Sequence, residues 1–219
     1  MTKQQLIYDI LGLITRGRPT DNERLSNSNV SFWIDNTRAE LIRNSLNKGQ
    51  SLNPDIVQTI SCLEVQLIDA SECPCDIQGC TILRSVSQLP SSIEINQKNL
   101  ITQISSALLP SKPFSIIPFA RAGYAHNGRF SKKGTKAFIH NRYVYLITDT
   151  MYDKIVVSGV FESPEALNTY SDCSGNACYT DNSPYPMALH MVETMKKMIL
   201  DTNIKIFMST QEDQVNDAN

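Results

Sequence analysis

Cysteine is the residue type in this sequence with the most evident capacity for chemistry. The cysteines form two groups along the chain: Cys62, Cys73, Cys75 and Cys80, then Cys173 and Cys178. Zinc sites pair their thiolate ligands as C-x2–4-C on a tight turn. Cys75 and Cys80 have an admissible spacing, but Cys73 and Cys75 are too close together. The spacing therefore favours thiols in turns over a zinc site, and in a reducing compartment we expect free thiols rather than disulfides.

Catalytic motifs are missing from the sequence. It contains no G-x-S-x-G, H-E-x-x-H or G-x-G-x-x-G pattern, which mark a serine nucleophile, a zinc protease and a dinucleotide site. The segment 128–136 (GRFSKKGTK) differs from a phosphate-binding loop because threonine, and not lysine, follows its second glycine. His126, His140 and His190 stand in unrelated contexts. We therefore predict that the protein is not an enzyme and has no metal or cofactor.

Composition limits the classes of partner. The formal net charge is −2, from 20 Lys and Arg against 22 Asp and Glu, whereas general nucleic-acid binders are strongly basic. No apolar run reaches the roughly 18–20 residues that span a bilayer, and Asp9 interrupts the stretch in which a signal peptide would be apolar. We expect a protein made in a cytoplasm, with no membrane partner, that stays there or leaves within a larger particle.

Charged residues are unevenly distributed in the second half of the chain. Positions 121–148 hold cations and no acid: Arg121, Arg129, Lys132, Lys133, Lys136 and Arg142. Positions 149–181 hold a single cation, Lys154, among acids: Asp149, Asp153, Glu162, Glu165, Asp172 and Asp181. We call these segments the basic block and the acidic block. They are either two solvated faces or opposite edges with which neighbouring subunits meet head to tail.

Two amphipathic helices are predicted near the N-terminus. Residues 3–16 and 28–47 carry apolar side chains at helical spacing, with Ser28 as the N-cap of the second helix and Gly49 as its stop. The apolar face of the second helix includes Trp33, Ile34, Leu41 and Ile42. We predict that these side chains make core or helix-bundle contacts.

Residues 51–182 are predicted to form a β-rich central region. Short strands rich in β-branched and aromatic residues are predicted at 57–68, 114–117 and 156–161. His140-Asn141 predicts a tight turn between two strands. A helix is predicted to interrupt the region at 97–109, and the Gly-, Asn- and Pro-rich segment 171–186 is predicted to be a loop.

A C-terminal helix completes the predicted layout. Ser183-Pro184 has the residue types of a helix start, and the following helix places Met187, Met191, Met195 and Met198 in one stripe. The stripe is either core packing or an adaptable subunit interface. The predicted fold class is α+β, with terminal helices forming a small bundle and a β-rich central domain. The predicted parts are N-terminal helices at 1–50, the central region at 51–182, a C-terminal helix at 183–209 that packs with the N-terminal helices, and a disordered tail at 210–219.

Residues 32–75 resemble a known family. The run FWIDNTRAELIRNSLNKGQSLNPDIVQTISCLEVQLIDASECPC is similar to the N-terminal part of the ring-forming head–tail connector proteins of crAss-like phages of gut Bacteroidetes. The elements that carry the resemblance are Phe32-Trp33-Ile34, Arg38-Ala39, Leu41-Ile42-Arg43, Lys48-Gly49, Ile56-Val57-Gln58, Cys62-Leu63-Glu64-Val65 and Ser71-Glu72-Cys73. None of these elements is a catalytic motif.

The resemblance implies a structural virion protein, one subunit of a dodecameric ring in the neck between capsid and tail, around the DNA channel. The implied partners are copies of itself, the portal protein and other connector or tail proteins, with non-specific proximity to genomic DNA. The implied location is the virion, and the bacterial host cytoplasm during assembly. Arg38 and Arg43 then either pair with carboxylates on a neighbouring subunit or stay solvated. Further candidate interface residues come from the two charged blocks: Arg121, Arg129, Lys132, Lys133, Lys136, Arg142, Glu162 and Glu165.

Two other classes of protein stay open. A cysteine- or zinc-dependent protein would use the group around Cys73, and stoichiometric zinc in purified protein would favour it. A monomeric nucleic-acid-binding module would use the basic block. Salt-sensitive DNA binding by a monomer would favour that alternative.

Overall fold

The fold is α+β, as predicted, with helices near both ends of the chain and a strand-rich centre. The computed structural model describes residues 1–14, 26–73, 81–96, 98–125 and 134–204. The chain divides into two compact units: a helical unit, Met1–Ile56 with Asp181–Asn219, and a β unit, Val57–Thr180. None of the helices in the described ranges combines the length and apolar character that a bilayer crossing requires.

The described part of the helical unit contains α1 (Lys3–Ile14), α2 (Asn27–Asn47) and α3 (Leu189–Met198), and a π-helix (Ile199–Ile204) follows α3. The N-cap of α2 is Ser26, whose hydroxyl accepts a hydrogen bond from the Asn29 amide at 3.3 Å, and not Ser28 as predicted. At the other end Gly49 has a φ of +79°. This left-handed conformation ends α2 where the sequence predicts a stop.

An apolar core holds the helical unit together. Its buried members are Leu6, Ile7, Ile10, Val30, Ile34, Tyr185, Met187, Val192, Met195, Ile199 and Ile204. Leu6 and Ile10 lie one helical turn apart, so both side chains point from the same face of α1 into this core. Burying each large aliphatic side chain contributes about 1.5–3 kcal/mol. Packing of apolar faces therefore stabilises these helices more than helix propensity does.

The C-terminal helix begins later than predicted. Ser183-Pro184 does not start it, because α3 begins at Leu189 after the N-cap Ala188. The carbonyl of Pro186 accepts a hydrogen bond from Arg38 Nε at 2.7 Å. Pro186 also disfavours the helical conformation at the preceding residue, Tyr185, which opposes the local start signal at Ser183-Pro184. The predicted continuation through 205–209 and the predicted tail at 210–219 lie outside the described residues.

The described part of the β unit contains nine strands: β1 (Gln58–Asp69), β2 (Thr81–Ser85), β3 (Glu94–Ile95), β4 (Lys98–Asn99), β5 (Ile101–Ser106), β6 (Ser115–Ile116), β7 (Lys136–His140), β8 (Tyr143–Ile147) and β9 (Lys154–Gly159). One sheet has the order β5-β9-β1-β2-β8-β7-β6, and β3 pairs with β4 separately. In the large sheet β6 and β7 are parallel and the other neighbours are antiparallel. Side chains from these strands form an apolar core that includes Ile60, Leu63, Ile104, Val144, Leu146, Ile155 and Val157.

The large sheet is nearly closed. Its two edge strands, β5 and β6, approach each other, since a bridge joins Ser105 to Pro113. The Phe114 amide also donates a hydrogen bond to the Ile104 carbonyl at 2.7 Å. Closure satisfies backbone groups that an open edge would offer to another chain.

The helix predicted at 97–109 is wrong, because β4 and β5 occupy this segment. The β5 strand pairs with β9 along its length, and Ile104 is fully buried in the core of the sheet. Gly159 of β9 permits a close approach of β5, since a Cβ at that position would lie 2.6 Å from Ile101 Cδ1. The pairing partner lies far along the chain, and this tertiary contact outweighs local propensity.

The hairpin predicted near His140-Asn141 is confirmed. It joins β7 to β8 through Asn141 and Arg142, whose φ angles are +50° and +64°. Two successive left-handed residues are typical of a two-residue hairpin turn. The turn lies within one residue of its predicted position.

Candidate interaction surfaces

A polar cluster joins three chain segments of the helical unit. Lys3 of α1 donates a hydrogen bond to Asp35 Oδ2 of α2 at 3.0 Å, and Tyr185 Oη donates to Asp35 Oδ1 at 2.8 Å. The Arg38 guanidinium lies over the Tyr185 ring, 5.7 Å from its centre. We call Lys3, Asp35, Arg38 and Tyr185 the polar cluster. It fixes the segment that leads into α3 against α1 and α2.

Arg38 is neither solvated nor available to a neighbouring subunit, contrary to the prediction. Its side chain is 0% exposed, because it lies between the Tyr185 ring and the Pro186 carbonyl. The planar guanidinium can stack on an aromatic ring and donate a hydrogen bond at the same time. Arg43 is half-buried and has contacts within the chain.

The apolar residues predicted on α2 differ in burial. Ile34 and Ile42 are fully buried, and Ile34 belongs to the helical core. Trp33 and Leu41 are half-buried and pack against that core from its margin. Trp33 therefore makes a helix-bundle contact and keeps exposed surface at the edge of the bundle.

An open cleft of about 600 Å³ lies at the C-terminal end of α2. Its apolar lining consists of Ile42, Leu46, Leu52, Pro54, Ile56 and Met191. Its polar lining includes Ser51 and His190. Asp55 lies between two lining residues and is exposed. We call this feature the α2 cleft.

A loop with two exposed leucines connects β5 to the segment before β6. Leu108 is 89% exposed and Leu109 is 54% exposed. Two hydrogen bonds hold the loop: Gln103 Nε2 of β5 donates to the Pro110 carbonyl at 2.7 Å, and the Lys112 amide donates to the Leu109 carbonyl at 3.1 Å. We call residues 106–112 the leucine loop. It presents apolar side chains to solvent from a fixed backbone.

Three of the described cysteines are disulfide-bonded, contrary to the prediction of free thiols. Cys62 of β1 and Cys173 form a disulfide with a Cα–Cα distance of 5.2 Å, and Cys73 is also disulfide-bonded. Cys178 is a free thiol. The fold brings together cysteines 111 positions apart, which sequence spacing does not reveal. Cys75 and Cys80 lie outside the described residues. Within the described ranges no group of three or more His, Cys, Asp or Glu residues is arranged to hold a metal ion.

A turn built on Asp172 positions Cys173 beside β1. Asp172 Oδ1 accepts hydrogen bonds from the Asn176 and Ser174 amides, each at 2.8 Å. Hydrogen bonds from Asn176, and then from Ser174 and Gly175, hold the pKa of the Asp172 carboxyl below its ordinary value. The carboxylate therefore stays ionised at neutral pH and continues to accept these bonds.

The basic block lies on and around β7 and β8. Arg121 is exposed in the short helix Phe119–Tyr124. Lys136 of β7 is half-buried and donates a hydrogen bond to the Ala125 carbonyl. Arg142 is exposed at the hairpin turn, where it donates to Gln88 Oε1 at 3.0 Å. The predicted interface residues Arg129, Lys132 and Lys133 lie outside the described residues.

The acidic block lies around β9. Asp149 and Asp153 are exposed between β8 and β9, whereas Glu162 and Glu165 follow β9 and are half-buried. Both glutamates have contacts within the chain. In the sheet, β1 and β2 separate β9 from β8. Glu162 and Glu165 therefore follow a strand that is not a neighbour of β7 or β8, whereas Asp149 lies two residues after the end of β8.

The sequence of the whole chain decides its family. The model of a crAss-like phage family described as "Phage tail ring protein 2" matches residues 5–219. The chain belongs to the phage tail ring protein 2 family. None of the curated proteins matches the chain.

Membership in the phage tail ring protein 2 family identifies a structural component of a phage virion. A ring protein assembles with copies of itself and with other tail proteins. The resemblance found in residues 32–75 is confirmed at this level, that of a crAss-like phage ring protein. The family is consistent with a protein that is not an enzyme.

Sequence reasoning missed both the leucine loop and the α2 cleft. A signal for the loop exists, because Leu108-Leu109 is an apolar pair directly before Pro110, and proline marks loops. The prediction of a helix at 97–109 included both leucines, so the loop was not predicted. The cleft has no comparable signal, since its lining comes from α2, the segment after α2, and residues at the start of α3.

Proposed function

We propose that this phage tail ring protein 2 family member forms a closed, dodecameric ring in the neck between capsid and tail, next to the portal and around the DNA channel. The observation that carries the proposal is the family match over residues 5–219. The placement in the neck rests on the resemblance of residues 32–75 to head–tail connector proteins. Assembly then takes place in the host cytoplasm, with the portal and other connector or tail proteins as partners.

The distribution of charge supports a head-to-tail contact between subunits. The basic block lies on and around β7 and β8, whereas Glu162 and Glu165 of the acidic block follow β9, which β1 and β2 separate from β8. A contact between two different surfaces of identical chains closes into a ring when the rotation between subunits allows it. Opposite charges on these surfaces select the partner and its register more than they raise affinity.

The basic block is assigned to protein contacts rather than to DNA. Cations that neutralise phosphates bind DNA tightly, whereas a connector must let the genome slide past. The formal net charge of −2 is consistent with a channel component that does not retain DNA. Proximity to the genome is then non-specific.

Imaging the particle tests the placement directly. Electron cryo-microscopy of the virion is expected to show a ring of this chain below the portal. Mass measurement of the purified protein, alone and mixed with portal, is expected to give one discrete oligomer. A chain found only as a free monomer and absent from the particle would contradict the proposal.

Reversing exposed cations is expected to weaken ring assembly. The double variant Arg121→Glu with Arg142→Glu places carboxylates opposite the acidic block of the next subunit, which repels them. Two positions are changed together because a single exposed pair contributes only about 0–1 kcal/mol. The loss is expected to be larger at low salt, where screening is least. Analytical ultracentrifugation at two salt concentrations measures the fraction of chains assembled into rings.

A charge swap is the control for this variant. Adding Asp149→Lys and Asp153→Lys to the double variant restores opposite signs on the two blocks, so assembly is expected to recover. Both aspartates are exposed, which limits effects on folding. Assembly of the double variant at the wild-type level in low salt would show that these cations do not meet a neighbour.

A further inference from the structure

We propose that the leucine loop of one subunit inserts into the α2 cleft of the next subunit in the ring. The occupant of the cleft is thus a second copy of this chain. The inference rests on the ring assembly proposed above and adds the contact that links neighbouring subunits. It does not depend on where in the virion the ring is placed.

The leucine loop has the properties of an inserting element. Leu108 and Leu109 are mostly exposed, at 89% and 54%, so burying them against another chain removes apolar surface from water. Burying a leucine side chain completely contributes about 1.5–3 kcal/mol. The loop loses little conformational freedom on binding, because the hydrogen bonds of Gln103 and Lys112 already fix its backbone. A preorganised loop keeps more of its burial energy as affinity.

The α2 cleft has the size and lining to receive this loop. A cavity of about 150 Å³ holds one benzene-sized apolar group. The volume of the cleft, about 600 Å³, therefore has room for two leucine side chains and an adjacent proline ring. Leu46, Leu52 and Met191 are among the side chains that offer them an apolar surface.

Charges beside the two features are complementary. Lys112 is exposed at the end of the leucine loop, and Asp55 is exposed between the cleft residues Pro54 and Ile56. In the orientation that places Lys112 on the Asp55 side of the cleft, the inserted loop pairs a cation with a carboxylate. This pair adds little affinity but disfavours a reversed orientation.

One chain carries both halves of the contact. Each subunit then gives its leucine loop to one neighbour and its cleft to the other, which is the head-to-tail pattern that closes rings. Two leucines and one ion pair bury much less than the roughly 1,200–2,000 Å² of a standard stable interface. The loop therefore acts as the anchor, and the basic and acidic blocks supply the wider contact.

Photo-cross-linking from Leu108 identifies the occupant of the cleft. A photoreactive phenylalanine analogue replaces Leu108 in the full-length chain, and assembled rings are irradiated. The expected product is a ladder of cross-linked copies on a denaturing gel, with the cross-link mapped by mass spectrometry to 42–56 or 190–191. Cross-links only within one chain, or only to another protein, would overturn the inference.

Matched substitutions measure the contribution of the loop. The double variant Leu108→Ser with Leu109→Ser is expected to lower the association constant between subunits by tenfold or more. Val86→Ser removes an apolar side chain of the β unit that is 44% exposed and lies outside both charged blocks, and it is expected to leave assembly unchanged. Ser51→Trp fills the cleft from an exposed position and is expected to reproduce the loss. Circular dichroism verifies that each variant is folded.

The outcomes separate this inference from the proposed function. If wild-type chains form rings and the double serine variant forms them equally well, the loop contact is wrong and the ring stands. If wild-type chains form no ring, alone or with portal, both proposals fail. If rings form and depend on Leu108 and Leu109, the inference holds even where imaging places the ring elsewhere in the tail.

Discussion

Replacing Asp35 with alanine is expected to lower the free energy of unfolding of the helical unit by about 3–5 kcal/mol, the cost of breaking an ion pair whose lysine is buried. Asp35 accepts hydrogen bonds from Lys3 at 3.0 Å and from Tyr185 at 2.8 Å. Lys3 is only 4% exposed, so its ammonium group cannot exchange this carboxylate for bulk water. Trp33 is the only tryptophan and lies on α2, so its fluorescence during urea denaturation reports the loss in this unit.

Asp9→Ala is the matched control for this prediction. Asp9 of α1 is likewise an aspartate paired with a lysine, at 3.2 Å from Lys196, but its side chain is 46% exposed. An exposed pair contributes about 0–1 kcal/mol, so this variant is expected to unfold almost like the wild type. Equal losses in the two variants would show that burial of the Lys3–Asp35 pair has no special effect.

The polar cluster also matters for assembly. It fixes the segment before α3, and His190 and Met191 of α3 line the α2 cleft. Loosening the cluster therefore changes the surface that receives the leucine loop. Asp35→Ala is expected to weaken ring assembly even at temperatures where the variant remains folded.

The elements that the sequence predicts correctly are those whose signal is local. The apolar stripe of α2 and the left-handed stop at Gly49 depend on residues within one helix. The β7–β8 hairpin depends on a turn and its two flanking strands. The α+β fold class follows from these elements, because helices near the ends and strands in the middle leave few other layouts.

The elements that the sequence does not predict are decided by distant partners. Residues Ile101–Ser106, which the sequence assigned to a helix, form the strand β5 because they pair with β9. Arg38 of α2 donates a hydrogen bond to the carbonyl of Pro186, 148 positions away along the chain. The same contact buries Arg38, which its charge alone would place at the surface. Local propensity is weak compared with such contacts, and one sequence does not reveal them.

For the candidate contact surfaces, too, the sequence reveals local patterns but not features that depend on the folded chain. Residues 32–75 identify the class of protein from the sequence, since the resemblance to crAss-like phage ring proteins agrees with the family match. The contact itself depends on exposure and cavity shape. Leu108 and Leu109 have the residue type of a core position, and only the structure shows that they point to solvent.

The second large effect is expected from the disulfide between Cys62 and Cys173. Cys62→Ser is expected to lower the melting temperature by roughly 5–15 °C, from a loss of about 2–4 kcal/mol. The bond joins residues 111 positions apart. A cross-link over about 100 residues reduces the entropy of the unfolded chain and can raise its free energy by up to about 4–5 kcal/mol. Differential scanning calorimetry of protein purified under oxidising conditions measures the change. Since disulfides persist outside reducing cytoplasm, the stabilised form is expected in released particles rather than in the host cell.

Reduction and the free thiol provide the controls. Cys178→Ser is expected to melt within about 1 °C of the wild type, because Cys178 is not in a disulfide and small changes away from special features alter stability little. In excess reductant the wild type and Cys62→Ser are expected to melt together, since both then lack the Cys62–Cys173 bond. Mass spectrometry after thiol alkylation determines whether that bond is present in each sample. The contrary result is an oxidised wild type in which alkylation shows an intact Cys62–Cys173 bond but which still melts at the same temperature as Cys62→Ser. That result would contradict the prediction that this disulfide stabilises the protein by restricting the unfolded chain.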